Sequence, residues 1–245
     1  NHRRAHLLTA PVVPTLITLA APNVALALMQ ALVSVTDAYF IGQLGTEGLA
    51  GVALVFPVVI LMQMMSAGAM GGGVSSAIAR ALGAGDAERA ARLALHAAVI
   101  AAAMGLVFTL IMLLVGPALY RVLGGKDVAL AHALDYSAIV FGGALTVWLA
   151  NILANVIRGT GNMRFPAAVL GGAAALQIPL CGALVLGIGP LPPMGISGAA
   201  IAYILCFGLA ALGFAAYIAA GHTGLDVRRT WHNGAVFSKR LFAEI

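Results

Sequence analysis

Six long apolar runs alternate with short polar segments along the chain. Turn residues or charges separate the runs, which cover 15–42, 48–78, 93–117, 132–157, 165–187 and 195–220. Each run is long enough to cross a bilayer, because the apolar core of a membrane needs roughly 20 helical residues. The pattern predicts an all-α integral membrane protein, a six-helix bundle over 15–220, flanked by segments 1–14 and 221–245.

The composition agrees with a membrane protein. Charged residues make up 9% of the chain, against roughly 25% in an average soluble domain. The net charge of +5 is compatible with nucleic-acid binding, but the basic residues are spread thinly between apolar runs, and membrane topology explains them better. Cys181 and Cys206 lie within apolar runs without paired spacing, so we predict packing roles for both and neither a disulfide framework nor a metal site.

The distribution of Lys and Arg predicts the orientation. Of the thirteen basic residues, all but Arg121 and Lys126 lie at the N-terminus, at the C-terminus or in the loops on the same side of the predicted bundle. Cytoplasmic loops carry the excess of Lys and Arg. We therefore expect both ends of the chain, 1–14 and 221–245, to be cytoplasmic, in a multi-pass protein of a bacterial inner membrane.

Asp37 is the only acidic residue deep within an apolar run. An acid at the centre of a membrane helix costs about 2.5 to 3.5 kcal/mol, and such residues usually face a protein interior or a water-filled cavity, where they bind or relay something. We interpret Asp37 as a functional residue. The alternative is that it lies near the outer headgroups and is solvated.

Polar residues near Asp37 repeat with helical spacing. Asn23, Gln30, Ser34 and Asp37 are separated by seven, four and three residues, which places them on one face of the first helix. Lipid cannot satisfy polar groups, so this face is expected to point toward other helices or an aqueous cavity.

Three amides form a second group of candidates. Asn151 and Asn155 are four residues apart in the fourth run, and Gln177 lies in the fifth. Their side chains are suited to bind a cation or substrate, and equally suited to hydrogen-bond across helices. Trp148 shares the face of the two asparagines and is expected to pack in the core, the alternative being stacking on an aromatic cation.

Two local signals complete the pattern. Gly68 and Gly72 have the GxxxG spacing that lets helix backbones approach closely. Asp86 precedes a helical run and carries Glu88 two residues later, so it is predicted to cap the N-terminus of that helix.

Four motifs occur in order at the predicted helix junctions: the stretch 35–45, VTDAYFIGQLG; the stretch 79–86, ARALGAGD; the turn 158–162, RGTGN; and the stretch 195–200, GISGAA. Together they resemble the first half of multidrug and toxic compound extrusion (MATE) transporters. Members of this family have twelve helices in two lobes. The stretch 241–245 resembles the opening of their seventh helix.

The resemblance implies a secondary active antiporter that exports cationic drugs or toxic compounds in exchange for protons or sodium ions. This chain would be its first lobe. Asp37 would bind the coupling ion, with a sodium site there as one possibility, and the other candidates for ion or substrate binding are Gln30, Ser34, Asn151, Asn155 and Gln177. The partners implied are a cationic small molecule, the bilayer and the second six-helix lobe, without nucleic acid, cofactor or enzymatic activity.

The residues before and after Pro179 resemble the NorM-type branch, which usually has Asn where Cys181 stands. Two other interpretations remain open: a flippase of the same superfamily that moves lipid-linked precursors, and a membrane scaffold that transports nothing. A flippase would call for basic residues inside the cavity, yet the basic residues lie at run ends or in loops. We also expect the chain without its second lobe to be inactive in transport.

Overall fold

The computed structural model describes residues 12–188, 192–227 and 230. Within them there is no strand, which confirms the all-α prediction. The helices are α1 (Val12–Gly42), α2 (Thr46–Gln63), a π-helical turn (Met64–Met70, here the π segment), α3 (Gly71–Gly83), α4 (Ala87–Val122), α5 (Asp127–Gly142), α6 (Ala144–Gly159), α7 (Arg164–Leu186) and α8 (Ile196–Ala219). The predicted start of a seventh membrane helix, 241–245, and the segment 1–11 lie outside the described residues.

Five helical stretches of the described chain are long and apolar enough to cross a membrane. Four of them are α1, α4, α7 and α8, and the fifth is the continuous stretch formed by α2, the π segment and α3. Helices α5 and α6 provide a sixth span if they are taken together, although they are bent by 47°. The six predicted spans therefore have counterparts in the structure, one of them broken.

The prediction of an unbroken helix over 132–157 is wrong, because the chain bends between Gly142 and Ala144. A Cβ atom on Gly143 would lie 2.6 Å from Ile204 of α8, so only glycine allows this close contact. Thr109 of α4 donates a hydrogen bond of 2.6 Å to the Phe141 carbonyl beside the bend. The break is thus filled by one neighbouring helix and hydrogen-bonded by another.

The start of α4 follows its predicted capping chemistry. The Asp86 carboxylate accepts a hydrogen bond of 2.8 Å from the backbone N–H of Arg89, which confirms Asp86 as the N-cap. Glu88, in the first turn of α4, pairs with Arg92 one turn further along the helix surface.

Helix α6 forms the centre of the bundle, and most of its residues are buried. It packs against α3, α4 and α8. Trp148 is fully buried, with its ring 6.4 Å from that of Phe108, so its predicted role in the core is confirmed. Both cysteines are buried and free, as expected of packing residues.

The predicted close approach at Gly68 and Gly72 is wrong for the described residues. A Cβ atom at either position would meet nothing within 4 Å. The glycine that is closely packed is Gly71, which faces Asn155 of α6. The π segment explains the difference, because one extra residue per turn changes which glycine faces the neighbouring helix.

Candidate functional site

Asp37 lies near the end of α1, where this helix packs against α7. Its carboxylate is half-buried, and Oδ2 accepts a hydrogen bond of 2.8 Å from Nε2 of Gln177. Gln177 is itself buried within α7. The structure therefore joins two of the predicted site residues, which are 140 positions apart in sequence.

The other carboxylate oxygen of Asp37 has unused capacity. Oδ1 is buried and has no hydrogen-bond partner among the described residues. The Cys181 thiol, one turn after Gln177 on the same face of α7, lies beside the carboxylate. A buried carboxylate oxygen without a partner is costly, so this atom is suited to bind a proton or a cation.

The surroundings of Asp37 are apolar and aromatic. Tyr136 of α5 and Tyr203 of α8 lie within electrostatic reach of the carboxylate. In the part of the chain that the structure describes, no Lys or Arg forms an ion pair with Asp37. The site therefore presents a carboxyl group that no Lys or Arg of the described residues neutralises.

Gln30 and Ser34, two other members of the predicted stripe on α1, form no hydrogen bond with Asp37. Gln30 and Ser34 are both exposed, and Ser34 Oγ donates to the Gln30 backbone carbonyl at 3.1 Å. The side chain of Asn23 lies outside the described residues. The exposed amide and hydroxyl continue a polar path along the helix away from the carboxylate.

Asn151 and Asn155 occupy a different location, buried between α6 and the second membrane span. Asn151 Nδ2 donates to Gln63 Oε1 and to Ser66 Oγ, both at 2.8 Å. Asn155 Nδ2 donates to the Ala67 carbonyl at 3.2 Å and to the Asn151 carbonyl at 2.9 Å. These amides hydrogen-bond across helices, the structural alternative left open by the sequence.

The two locations are connected through Tyr203. Gln63 Nε2 donates to the Tyr203 hydroxyl at 2.7 Å, and Tyr203 lies within electrostatic reach of Asp37. We call Gln63, Ser66, Asn151, Asn155 and Tyr203 the interhelix polar cluster.

Sequence reasoning missed Gln63, Ser66 and Tyr203 as hydrogen-bond partners and predicted only a packing role for Cys181. Gln63 is an amide within an apolar run, and that signal was available.

The arrangement around Asp37 can bind a small positive charge reversibly. One oxygen is held by Gln177, and the other is buried without a partner among the described residues, so a proton fits it directly, whereas a larger cation reaches it only when the surrounding side chains move. No group of three or more His, Cys, Asp or Glu side chains suited to hold a metal ion occurs among the described residues. A sodium ion would therefore depend on one carboxylate together with neutral oxygen ligands such as amide carbonyls.

Comparison with known proteins places these features in a family context. Residues 22–182 match the sequence profile of the MatE family. An FAD transporter from Shewanella oneidensis is 34% identical over 224 residues, and a probable multidrug resistance protein NorM from Thermotoga maritima is 29% identical over 192 residues. The alignments cover 88% and 78% of this chain.

The fold is also similar to that of a solved transporter structure. A MOP superfamily transporter from Pyrococcus furiosus superimposes with a TM-score of 0.83 over 93% of this chain, at 28% identity. This chain spans about half the length of its relatives: the alignments cover 47% of the Shewanella protein, 41% of the Thermotoga protein and 49% of the Pyrococcus protein.

Proposed function

Because the chain belongs to the MatE family, we propose that it forms one six-helix lobe of a secondary active transporter that exports cationic compounds in exchange for protons or sodium ions. A second lobe would face it across a central site, and rocking of the two lobes would give alternating access. The positive-inside distribution of Lys and Arg supports an orientation with both ends of this chain in the cytoplasm.

The observation that carries this proposal is the free oxygen of Asp37. The carboxylate lies in a membrane-spanning helix, and its Oδ1 has no partner among the described residues. A proton, a sodium ion and a cationic compound all compete for such a group. Exchange follows from this competition, because loading of the coupling ion displaces the compound and binding of the compound displaces the ion.

The exposed polar side of α1 supports a cavity next to this group. Gln30 and Ser34 lie on the surface of the lobe rather than in its core. In lipid the Gln30 amide would lack hydrogen-bond partners, whereas a water-filled cavity between two lobes would hydrate it.

A second candidate substrate is an anionic dinucleotide such as FAD. It is favoured by the similarity to the Shewanella FAD transporter and by Arg158, which is half-buried at the end of α6. Arg158 donates to Asn155 Oδ1 at 3.5 Å and forms no ion pair with an acidic residue in the described part of the chain. A pyrophosphate would be attracted to this cation. We rank this substrate second because Arg158 is half-buried at a helix end, whereas Asp37 has a fully buried oxygen without a partner among the described residues.

The test is transport by the protein together with its second lobe in liposomes, under separate proton and sodium gradients. Ethidium serves as the cationic probe and FAD as the anionic one. We expect ethidium export that Asp37→Asn abolishes and that Arg158→Gln leaves largely intact. Asp135→Asn, which removes an exposed acid on α5, is the matched control.

Each outcome of this experiment has one meaning. Export of FAD that depends on Arg158 and is indifferent to Asp37 would establish the second candidate. Export of neither compound under either gradient would favour the scaffold interpretation. The gradient that drives ethidium export identifies the coupling ion.

A further inference from the structure

The second membrane span is interrupted by the π segment, Met64–Met70. At its end, the backbone N–H of Gly71 points to the Gly68 carbonyl and to the Ser66 carbonyl five residues earlier, and the second of these is the spacing that defines a π turn. Such turns are rare and are frequently found at functional sites. The sequence gives this one no proline to account for it, so the neighbouring helix has to supply the reason.

Two asparagines of α6 hold the π segment from the side. Asn151 bonds to Gln63 and Ser66 at the beginning of the segment, at 2.8 Å each. Asn155, one turn later, bonds to the Ala67 carbonyl in its middle at 3.2 Å. One face of α6 thus contributes side-chain donors to successive positions of the π turn.

The space next to Asn155 exists only because residue 71 is glycine. A Cβ atom on Gly71 would lie 2.2 Å from Asn155 Nδ2 and 2.9 Å from the Ser66 carbonyl oxygen. A Cβ atom on the adjacent Gly72 would have no neighbouring atom within 4 Å. A return to α-helical geometry would turn residues beyond the segment by roughly 100° relative to those before it. The contacts of α6 with both sides of the segment are therefore compatible with the π register.

Asn151 connects the π segment to a residue near the carboxylate site. Gln63, which directly precedes the segment, accepts from Asn151 and donates to the Tyr203 hydroxyl at 2.7 Å. Tyr203 lies near enough to Asp37 for a charge there to act on it, although no hydrogen bond joins the two side chains among the described residues. A change of charge at Asp37 would alter the electrostatic field at the hydrogen-bond partner of Gln63.

We propose that the π segment is the point at which the second span changes conformation during transport, and that Asn151 and Asn155 are the positioning residues that hold it in the π register. When the occupant of Asp37 changes, the Tyr203–Gln63–Asn151 hydrogen bonds rearrange, the register of the segment changes, and α3 turns at its cytoplasmic end. This inference rests on the proposed function, because it requires Asp37 to bind the exchanged cation.

The first test uses the wild-type protein with its second lobe. Hydrogen exchange at the backbone amides of residues 64–71 is measured with and without saturating ethidium. We expect ethidium to change these exchange rates by about threefold or more, and Asp37→Asn to remove that response. Unchanged exchange in the wild-type protein, with ethidium bound, would overturn the proposal without requiring any variant of the segment to fold.

The second test compares two adjacent glycines. Gly71→Ala, by displacing the Asn155 side chain, and Asn155→Leu, by removing its donor, should each lower turnover about tenfold, the effect of one hydrogen bond of roughly 1.4 kcal/mol, with the Michaelis constant for ethidium within about twofold of wild type. Gly72→Ala is the matched control and should transport as the wild type does. Equal turnover of the Gly71 and Gly72 variants would refute the role of this contact.

The two proposals fail in different ways. If Asp37→Asn leaves ethidium export unchanged, the proposed function fails, whatever the exchange rates of the segment. If Asp37→Asn abolishes export while ethidium does not alter exchange at residues 64–71, the proposed function stands and the register change is wrong.

Discussion

Helices α1 and α6 carry the two groups of polar residues, and they are packed in opposite ways. Beyond Ala21, α1 exposes most of its side chains, including Leu28 at 67% and Val35 at 68%, and its main packing partner is α7. Helix α6 is buried on nearly every side, and Trp148 has no exposed surface at all. One helix lies at the edge of the lobe, and the other is its centre.

The hydrogen bonding of the two helices follows the same division. Asp37 on α1 leaves one oxygen without a partner in the described residues, whereas Asn151 and Asn155 on α6 donate two hydrogen bonds each. An incompletely satisfied group on a loosely packed helix is suited to bind and release a ligand. A satisfied group on a buried helix is suited to hold its neighbours in place.

The largest effect is expected from Asp37→Asn, which should weaken ethidium binding and leave thermal stability nearly unchanged. Asp37→Asn removes the negative charge from a site whose Oδ1 has no partner among the described residues. A hydrogen bond to a charged group is worth about 1.5 to 3 kcal/mol, so ethidium affinity should fall roughly tenfold to a hundredfold. Thermal unfolding in detergent should remain close to that of the wild type.

Equilibrium binding and unfolding are measured on the same preparation, with Asp135→Asn as the control. A variant that binds ethidium normally but unfolds at a much lower temperature would reverse the comparison. Asp37 would then be a structural residue.

A thiol-accessibility experiment tests the contrast between the two helices directly. Ser34→Cys places a thiol on the exposed side of α1, and Asn151→Cys places one where only 5% of the side chain is exposed. A water-soluble maleimide should label the first at least about tenfold faster than the second. Cys181 and Cys206 are buried, and the protein without either substitution supplies their background.

Equal, slow labelling of both positions would mean that Ser34 is covered or faces lipid, and the cavity beside α1 would be rejected. Equally fast labelling of both would mean that water reaches α6. The interhelix polar cluster would then be part of the cavity.

The helices were predictable because the membrane removes alternatives. In hydrocarbon every backbone group has to be satisfied within the chain, so a long apolar run becomes a helix. The prediction of a functional role for Asp37 came from the same physics, since an unpaired acid within a membrane helix is expensive. The cap at Asp86 needed only local sequence.

The pairings between helices were not predictable, because they depend on how each helix is rotated about its axis. Nothing in the sequence around Gln177 shows that it faces Asp37 rather than another helix. The π segment changes the direction in which every later residue of the span points. The i, i+4 spacing of a regular α-helix therefore predicted contacts at Gly68 and Gly72, whereas Gly71 makes the contact. The bend at Gly143 was missed because apolar residues continue through it, and it depends on Ile204 of a distant helix.

A moderate loss of stability is expected when the interhelix polar cluster is broken. Asn151→Leu keeps the number of heavy atoms and the branching at Cγ but removes both donated hydrogen bonds, which leaves Gln63 Oε1 without its donor. The free energy of unfolding should fall by about 1 to 3 kcal/mol. Thermal or denaturant unfolding in detergent measures the change, and an unaltered stability would show that the cluster does not hold α6 to the second span.

The smallest effect on stability is expected from a substitution at Ser34 on α1, in contrast to Asn151 on α6. Its hydroxyl donates only to the Gln30 carbonyl of its own helix, and the side chain is exposed. Removing such a bond leaves that carbonyl in its helical environment, so Ser34→Ala should change the free energy of unfolding by less than about 0.5 kcal/mol. Unfolding is measured beside Asn151→Leu under the same conditions. A loss as large as that of Asn151→Leu would mean that Ser34 has a structural partner, and α1 would then be held in the lobe as firmly as α6.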